Sequence, residues 1–125
     1  MDDKPIKAVL QDYFDGCYDA SFEKLDRAFH KGAHIYGVGE DGTLADTERD
    51  VFVARVGAPR PEGFQRDYPR ADEVLSIDFT GENTAVARVK LRVGKTLFTD
   101  ILCVICLEGK WGIIAKVLSG EPIAE

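Results

Sequence analysis

Asp100 stands in an otherwise apolar run, FTDILCVICL over residues 98–107, and is the residue whose chemistry most needs an explanation. A buried charge without a partner is costly, so such a group either finds one or shifts its pKa. A carboxyl in an apolar cavity is pushed toward the neutral form and can then donate a hydrogen bond or a proton. Two residues have the chemistry to partner it. Tyr13 offers a phenol donor, and His34 offers an imidazole acid or base. The competing reading is architectural: Asp100 accepts from Tyr13 or His34 and pins a helix to a sheet.

Other motifs carry less. Residues 37–42 spell GxGxxG after a strand, but Thr-Leu-Ala-Asp follows where a dinucleotide site needs a helix, and Glu40 and Asp41 would repel phosphate. The segment reads as a turn. Cys103 and Cys106 have redox spacing, yet three positions apart on a strand their side chains face opposite ways. With only His30 and His34 and no clustered acidic partner, a metal site is not expected. Residues 57–70 are rich in proline and glycine and carry Arg60, Phe64, Arg66, Tyr68 and Arg70. This long loop is either a lid with an aromatic and an arginine at a pocket mouth, or a solvated connection.

The elements that must position these groups are legible from periodicity. Ile6, Val9, Leu10, Tyr13, Phe14, Cys17 and Tyr18 recur at helical spacing, with Pro5 suited to the first turn and Asp2 and Asp3 to the positive end of the dipole. Asp19 or Ser21 caps a second short helix carrying Phe22, Leu25, Ala28 and Phe29, which ends at Lys31-Gly32. Residues 33–38 form a strand, 43–48 a second, and 51–56 a third helix capped by Asp50. From about Asp72 the period becomes two, giving strands at 72–79, 84–93, 96–107 and 110–118. Helices first and a long meander afterward make the chain α+β, with helices on one face of an antiparallel sheet.

Two-residue turns at Gly94-Lys95 and Glu108-Gly109 set the register by counting. Cys106 pairs with Trp111, Val104 with Ile113, Leu102 with Ala115, and Asp100 with Val117 on one side and Val89 on the other. Paired residues share a face. One face then holds Ala85, Ala87, Val89, Leu91, Phe98, Leu102, Val104, Cys106, Trp111, Ile113, Ala115 and Val117, with Asp100 as its only ionisable group. Lys116 falls on the opposite face with Arg88, Lys90 and Arg92, among Ile101, Cys103 and Ile105. A β-bulge would reverse parity beyond it. The second face is apolar enough to predict a homodimer through it.

The chain, at 125 residues, fits one domain spanning 1–125, and 45% apolar with 30% charged residues is ordinary globular composition. A net charge of −6 argues against nucleic acid and anionic membranes. No apolar run approaches a membrane span, and the opening residues are not a signal peptide. Three cysteines without a framework pattern suit a reducing cytoplasm.

The opening helix with Tyr13-Phe14, the Leu25, Ala28-Phe29-His30 segment running into Ala33, and Phe98-Thr99-Asp100 with Gly109-Lys110-Trp111-Gly-Ile-Ile resemble the nuclear transport factor 2-like superfamily. Within it they are similar to the lumazine-binding and SnoaL-like proteins. The resemblance covers nearly the whole chain and implies a cone-shaped, cystatin-like fold, a pocket between helices and concave sheet, and dimerisation through the outer sheet face. In ketosteroid isomerase, a member of this superfamily, a helix tyrosine and a protonated strand aspartate stabilise an oxyanion while a second aspartate is the base. By that resemblance Tyr13 and Asp100 match the first two, and the base position falls at or near Gly37, which has no side chain. Steroid isomerisation is therefore not expected.

The expectation is a small-molecule pocket lined by Tyr13, Tyr36, Phe52, Asp100 and Trp111, taking a largely apolar or aromatic ligand with one polar group and needing no cofactor. The enzyme alternative is a cofactor-free isomerase, dehydratase or cyclase moving protons through Asp100 and His34, with Tyr13 as a further candidate. A third reading is a dimeric interaction module whose cone is filled by its own side chains.

Overall fold

The computed structural model describes residues 1–60 and 68–124. Its elements run α1 (Lys4–Asp19), α2 (Phe22–Ala28), β1 (Phe29–Val38), β2 (Leu44–Glu48), α3 (Arg49–Val56), β3 (Glu73–Phe79), β4 (Thr84–Val93), β5 (Thr96–Leu107) and β6 (Lys110–Pro122). The GxGxxG run closes β1 and enters the turn of the β1–β2 hairpin, which spans residues 39–43 and is closed by a bond from the Gly39 amide to the Thr43 carbonyl at 2.8 Å.

The apolar stripe of α1 is the one its spacing requires: Ile6, Val9, Leu10, Tyr13, Phe14 and Cys17 are all buried. Ser21 caps α2, its hydroxyl accepting from the Lys24 amide at 3.3 Å. That helix stops at Ala28, three residues before the expected Lys31-Gly32 end, because Phe29 and His30 already run as strand and lie in the core. The third helix begins at Arg49, with Glu48 at its N-cap and no side-chain cap bond from it.

The six strands form one mixed sheet in the order β2-β1-β6-β5-β4-β3, with helices packed on one face. All neighbours are antiparallel except β1 and β6. The parallel pair arises because the meander returns its last strand beside the first, which enters from the helices. The sheet does not close, since β2 and β3 are its edges. The architecture is α+β.

The register near the tight turns follows the count. Glu108 and Gly109 take φ of 50° and 81°, the left-handed pair that a two-residue hairpin uses. Cys106 faces Trp111, Val104 faces Ile113, and Asp100 faces Val89. One step beyond Ile113 the count fails. Cys103 pairs with Ala115 rather than Ile114, so Ile114 is an extra residue and β6 carries a bulge. Leu102 then pairs with Lys116 and Asp100 with Leu118. The bulge lies in β6, not β5, so Asp100 keeps its place under the helices. Lys116 and Leu118 turn inward, while Ala115 and Val117 turn outward. The expectation that Asp100 is the only ionisable group on that face is corrected: Lys116 shares it, 5% exposed.

Candidate functional site

Tyr13 and Cys17 lie one turn apart on the buried face of α1, above the strands that carry Asp100 and Lys116. The Tyr13 hydroxyl donates to Asp100 Oδ2 at 2.5 Å, and both side chains are fully buried. Asp100 Oδ1 has no hydrogen-bond partner among the described residues. Lys116 Nζ stands 4.0 Å from Asp100 Oδ2, 4.9 Å from the centre of the Tyr13 ring and 4.4 Å from that of Phe52. Phe29 completes the aromatic floor, edge-on to Tyr13 at 5.9 Å and tilted against Phe52 at 5.3 Å.

Magnitudes show what holds the ammonium there. Unit charges 4 Å apart attract by about 4 kcal/mol at an effective dielectric near 20. Desolvating each ion costs several kcal/mol, so the pair roughly breaks even on Coulomb energy alone. A desolvated cation over an aromatic face gains about 2 kcal/mol. Two ring faces therefore tip the balance and fix the ammonium between Tyr13 and Phe52. Burial dominates the acid chemistry. It pushes the Asp100 carboxyl above its ordinary range, while the Lys116 charge and the Tyr13 bond pull it partly back. Burial, then the neighbouring Asp100 charge, drives the Tyr13 phenol well above its usual value, so Tyr13 is a neutral donor. Burial also pushes the Cys17 thiol up to about 11.

A cavity of about 280 Å³ opens beside this cluster. Tyr13 and Cys17 of α1, Phe52, Arg55 and Val56 of α3, and Leu91, Val93, Phe98 and Leu118 of the sheet form most of its wall. Lys116 reaches the cavity, and so does Arg60, whose guanidinium also donates to the Cys17 carbonyl. Asp100 does not line it. The carboxyl sits behind Tyr13 and Lys116, which are its two contacts with the open space.

The structure separates other expected residues from this cluster. Ala33 and Ile35 are the buried positions of β1, so His34 and Tyr36 face the opposite side of the sheet. There His34 Nδ1 meets Asp46 Oδ1 at 2.7 Å and its ring stacks on Tyr36 at 5.9 Å. His34 and Asp100 thus share no proton path, correcting the expectation of a pair. Trp111 lies near the start of β6, edge-on to Phe79 at 6.1 Å, and does not line the cavity. Gly37 does face inward: a Cβ added there would come 3.5 Å from Leu118, a cavity residue. The strand position expected for a base thus points to the correct side with no group to act.

Of the long loop, Phe64 and Arg66 lie outside the described residues. Tyr68 is buried edge-on against Tyr18 at 5.3 Å, and Arg70 stacks on the Tyr18 ring while pairing with Asp15 at 2.9 Å and Asp72 at 2.6 Å. These contacts tie the end of the loop to α1.

Lys116 is the residue that sequence reasoning missed. Its available signal was the adjacent Ile113-Ile114 pair, a break in alternation just before the lysine.

The solved structures the chain resembles include an NTF2-like protein of unknown function from Shewanella baltica, 25% identical, with a TM-score of 0.82 over 94% of this chain and 92% of that one. Another from Silicibacter pomeroyi is 24% identical, with a TM-score of 0.77 over 93% and 92%. A ketosteroid isomerase-like protein from Erwinia carotovora atroseptica is 13% identical, with a TM-score of 0.67 over 92% of each chain, a likeness of fold alone. No curated protein matches the chain. The chain belongs to the family described as "Putative lumazine-binding", whose model matches residues 1–119. Among the described residues no helix is long and apolar enough to cross a membrane.

Proposed function

We propose that this protein binds a small, largely apolar or aromatic molecule in the cavity between α1, α3 and the sheet. The observation that carries this reading is the cavity itself: about 280 Å³, walled mainly by carbon, with the Lys116 ammonium and the Tyr13 ring at its inner end. Its volume is just below the range typical of drug-sized ligands, about 300–1,000 Å³, so the occupant is a compact molecule. Family membership points to the same class of function. The pocket residues in this reading are Tyr13, Phe52 and Lys116, with Asp100 positioning the first and last. Tyr36 and Trp111 lose their part because they lie away from the cavity.

A ligand screen by thermal shift tests it, with Val93→Trp as the control. An indole at that lining position fills the space, so true pocket ligands should raise the melting temperature of the parent but not of the variant. Ligands that stabilise both proteins equally bind elsewhere, and the reading fails.

The enzyme reading, an isomerase, dehydratase or cyclase, keeps Tyr13 and Asp100 but loses His34. The interaction-module reading required a filled interior, which an open cavity disfavours. A homodimer through the outer sheet face remains part of our proposal, supported by Ile101 at 43% and Val117 at 44% exposure, cross-strand neighbours on that face. The free cysteines Cys17, Cys103 and Cys106 fit a reducing compartment such as the cytoplasm.

A further inference from the structure

We infer that the ligand of this cavity is an organic anion, a compact and mostly carbon-built acid whose carboxylate meets Lys116. The inference rests on the pocket reading above and adds the charge of the occupant. Among the described lining residues Arg55, Arg60 and Lys116 are cationic and none is acidic. Among the described residues the carboxylate nearest the Lys116 ammonium is that of Asp100, which does not line the cavity and is already engaged by the Tyr13 hydroxyl.

Lys116 is a buried cation at the cavity wall. Its side chain is 6% exposed, yet its ammonium has no hydrogen-bond acceptor among the described residues, the nearest carboxylate oxygen being 4.0 Å away. An ammonium carries three donors, and the faces of Tyr13 and Phe52 satisfy its charge without accepting a conventional hydrogen bond. Such a group on the cavity wall is short of acceptors from the protein. A ligand carboxylate supplies them and cancels a desolvated charge together, and charge-assisted bonds are roughly twice as strong as neutral ones. Arg55 adds a second feature. It is exposed, lines the same cavity, and makes no ion pair among the described residues, so it is available at the mouth to an approaching acid. Its location gives a gradient, a solvated cation outside and a buried one within, that draws a negative head past apolar walls. The chain as a whole carries a net charge of −6, so this positive lining is local and runs against the overall balance.

Matched acid and amide pairs isolate the charge, because each pair differs little in shape. Titration calorimetry would compare benzoate with benzamide, cinnamate with cinnamamide, and hexanoate with hexanamide near neutral pH. The expected result is at least one pair in which the acid binds about tenfold or more tighter than its amide. In Lys116→Met that ratio should fall to about one, with amide affinity kept within about twofold. In Arg55→Gln the acid alone should weaken, by about threefold, since that arginine is solvated. Amides binding as tightly as acids in the parent protein overturn the anion while leaving the pocket intact. Binding of no pair, together with failure of the Val93→Trp comparison, overturns both readings. If Lys116→Met does not fold, the parent ratio and the Arg55→Gln titration still decide.

Discussion

Tyr13→Phe removes one oxygen atom and leaves the ring packed against Phe29 and over Lys116, so it isolates the bond to Asp100. In the parent, that hydroxyl supplies Asp100 Oδ2 at 2.5 Å, and Oδ1 has no partner among the described residues. After the substitution neither carboxylate oxygen has a donor from the described residues. A hydrogen bond to a charged group is worth about 1.5–3 kcal/mol, and a fully buried acceptor cannot recover it from solvent. The expected loss is therefore about 2–3 kcal/mol near neutral pH, a shift of roughly 1–2 M in the urea midpoint for a domain of this size. The pH dependence has a definite sign. The folded-state pKa of Asp100 lies above its ordinary value of 3.8, so its stabilising contribution is full below that value and is lost as pH rises through the raised one. The Tyr13 bond lowers the pKa, and its removal raises it further. The gap between parent and variant should therefore be largest where Asp100 is ionised in both proteins. It should shrink, toward the value of a neutral hydrogen bond near 1 kcal/mol, as acid protonates Asp100. Urea unfolding across a pH series measures it. A loss under about 0.5 kcal/mol at neutral pH, or a gap that widens on acidification, would refute the reasoning.

Further outcomes follow from the same geometry. Lys116→Met alone should cost about 3 kcal/mol, because it strands a buried carboxyl, while Lys116→Met with Asp100→Asn should recover most of that loss in a double-mutant denaturation cycle. Iodoacetamide followed by mass spectrometry should label Cys106 well before Cys17, whose thiol is buried and held near 11; early labelling of Cys17 would contradict its burial. The dimer proposal requires about twice the monomer mass by light scattering, and Ile101→Asp, at a position already 43% exposed, should halve it without lowering the melting temperature of the monomer. A monomeric parent sinks that proposal.

Much of the fold was legible because hydrophobic periodicity and turn chemistry are local signals. The stripe on α1, the Ser21 cap and the Glu108-Gly109 turn each act over a few residues, and each is found where the sequence implies. Asp100 could be placed under the helices because the Gly94-Lys95 turn ties β5 to β4 in unbroken register. The family resemblance agreed with these signals and added the helix–sheet pocket as an expectation. The His34 expectation failed for a reason of the same kind in reverse. His34 and Tyr36 share a face, as alternation demands, but the apolar positions Ala33 and Ile35 between them are the ones that meet the core.

Short-range pattern and one tight turn were enough to order the elements and to place Asp100 under the helices, whereas its meeting with Tyr13, 87 residues away in the chain, was an expectation that rested on the family resemblance. The neighbours of that pair are set by contacts between residues distant in the chain. One extra residue at Ile114 reverses the parity of β6, and beyond it the strand is paired with β1 and β5 in the shifted register. That single reversal carries Lys116 from the outer face to the cavity wall, between two aromatic rings and 4.0 Å from Asp100. Strand alternation has a period of two, so an unseen insertion of one residue inverts every side chain beyond it.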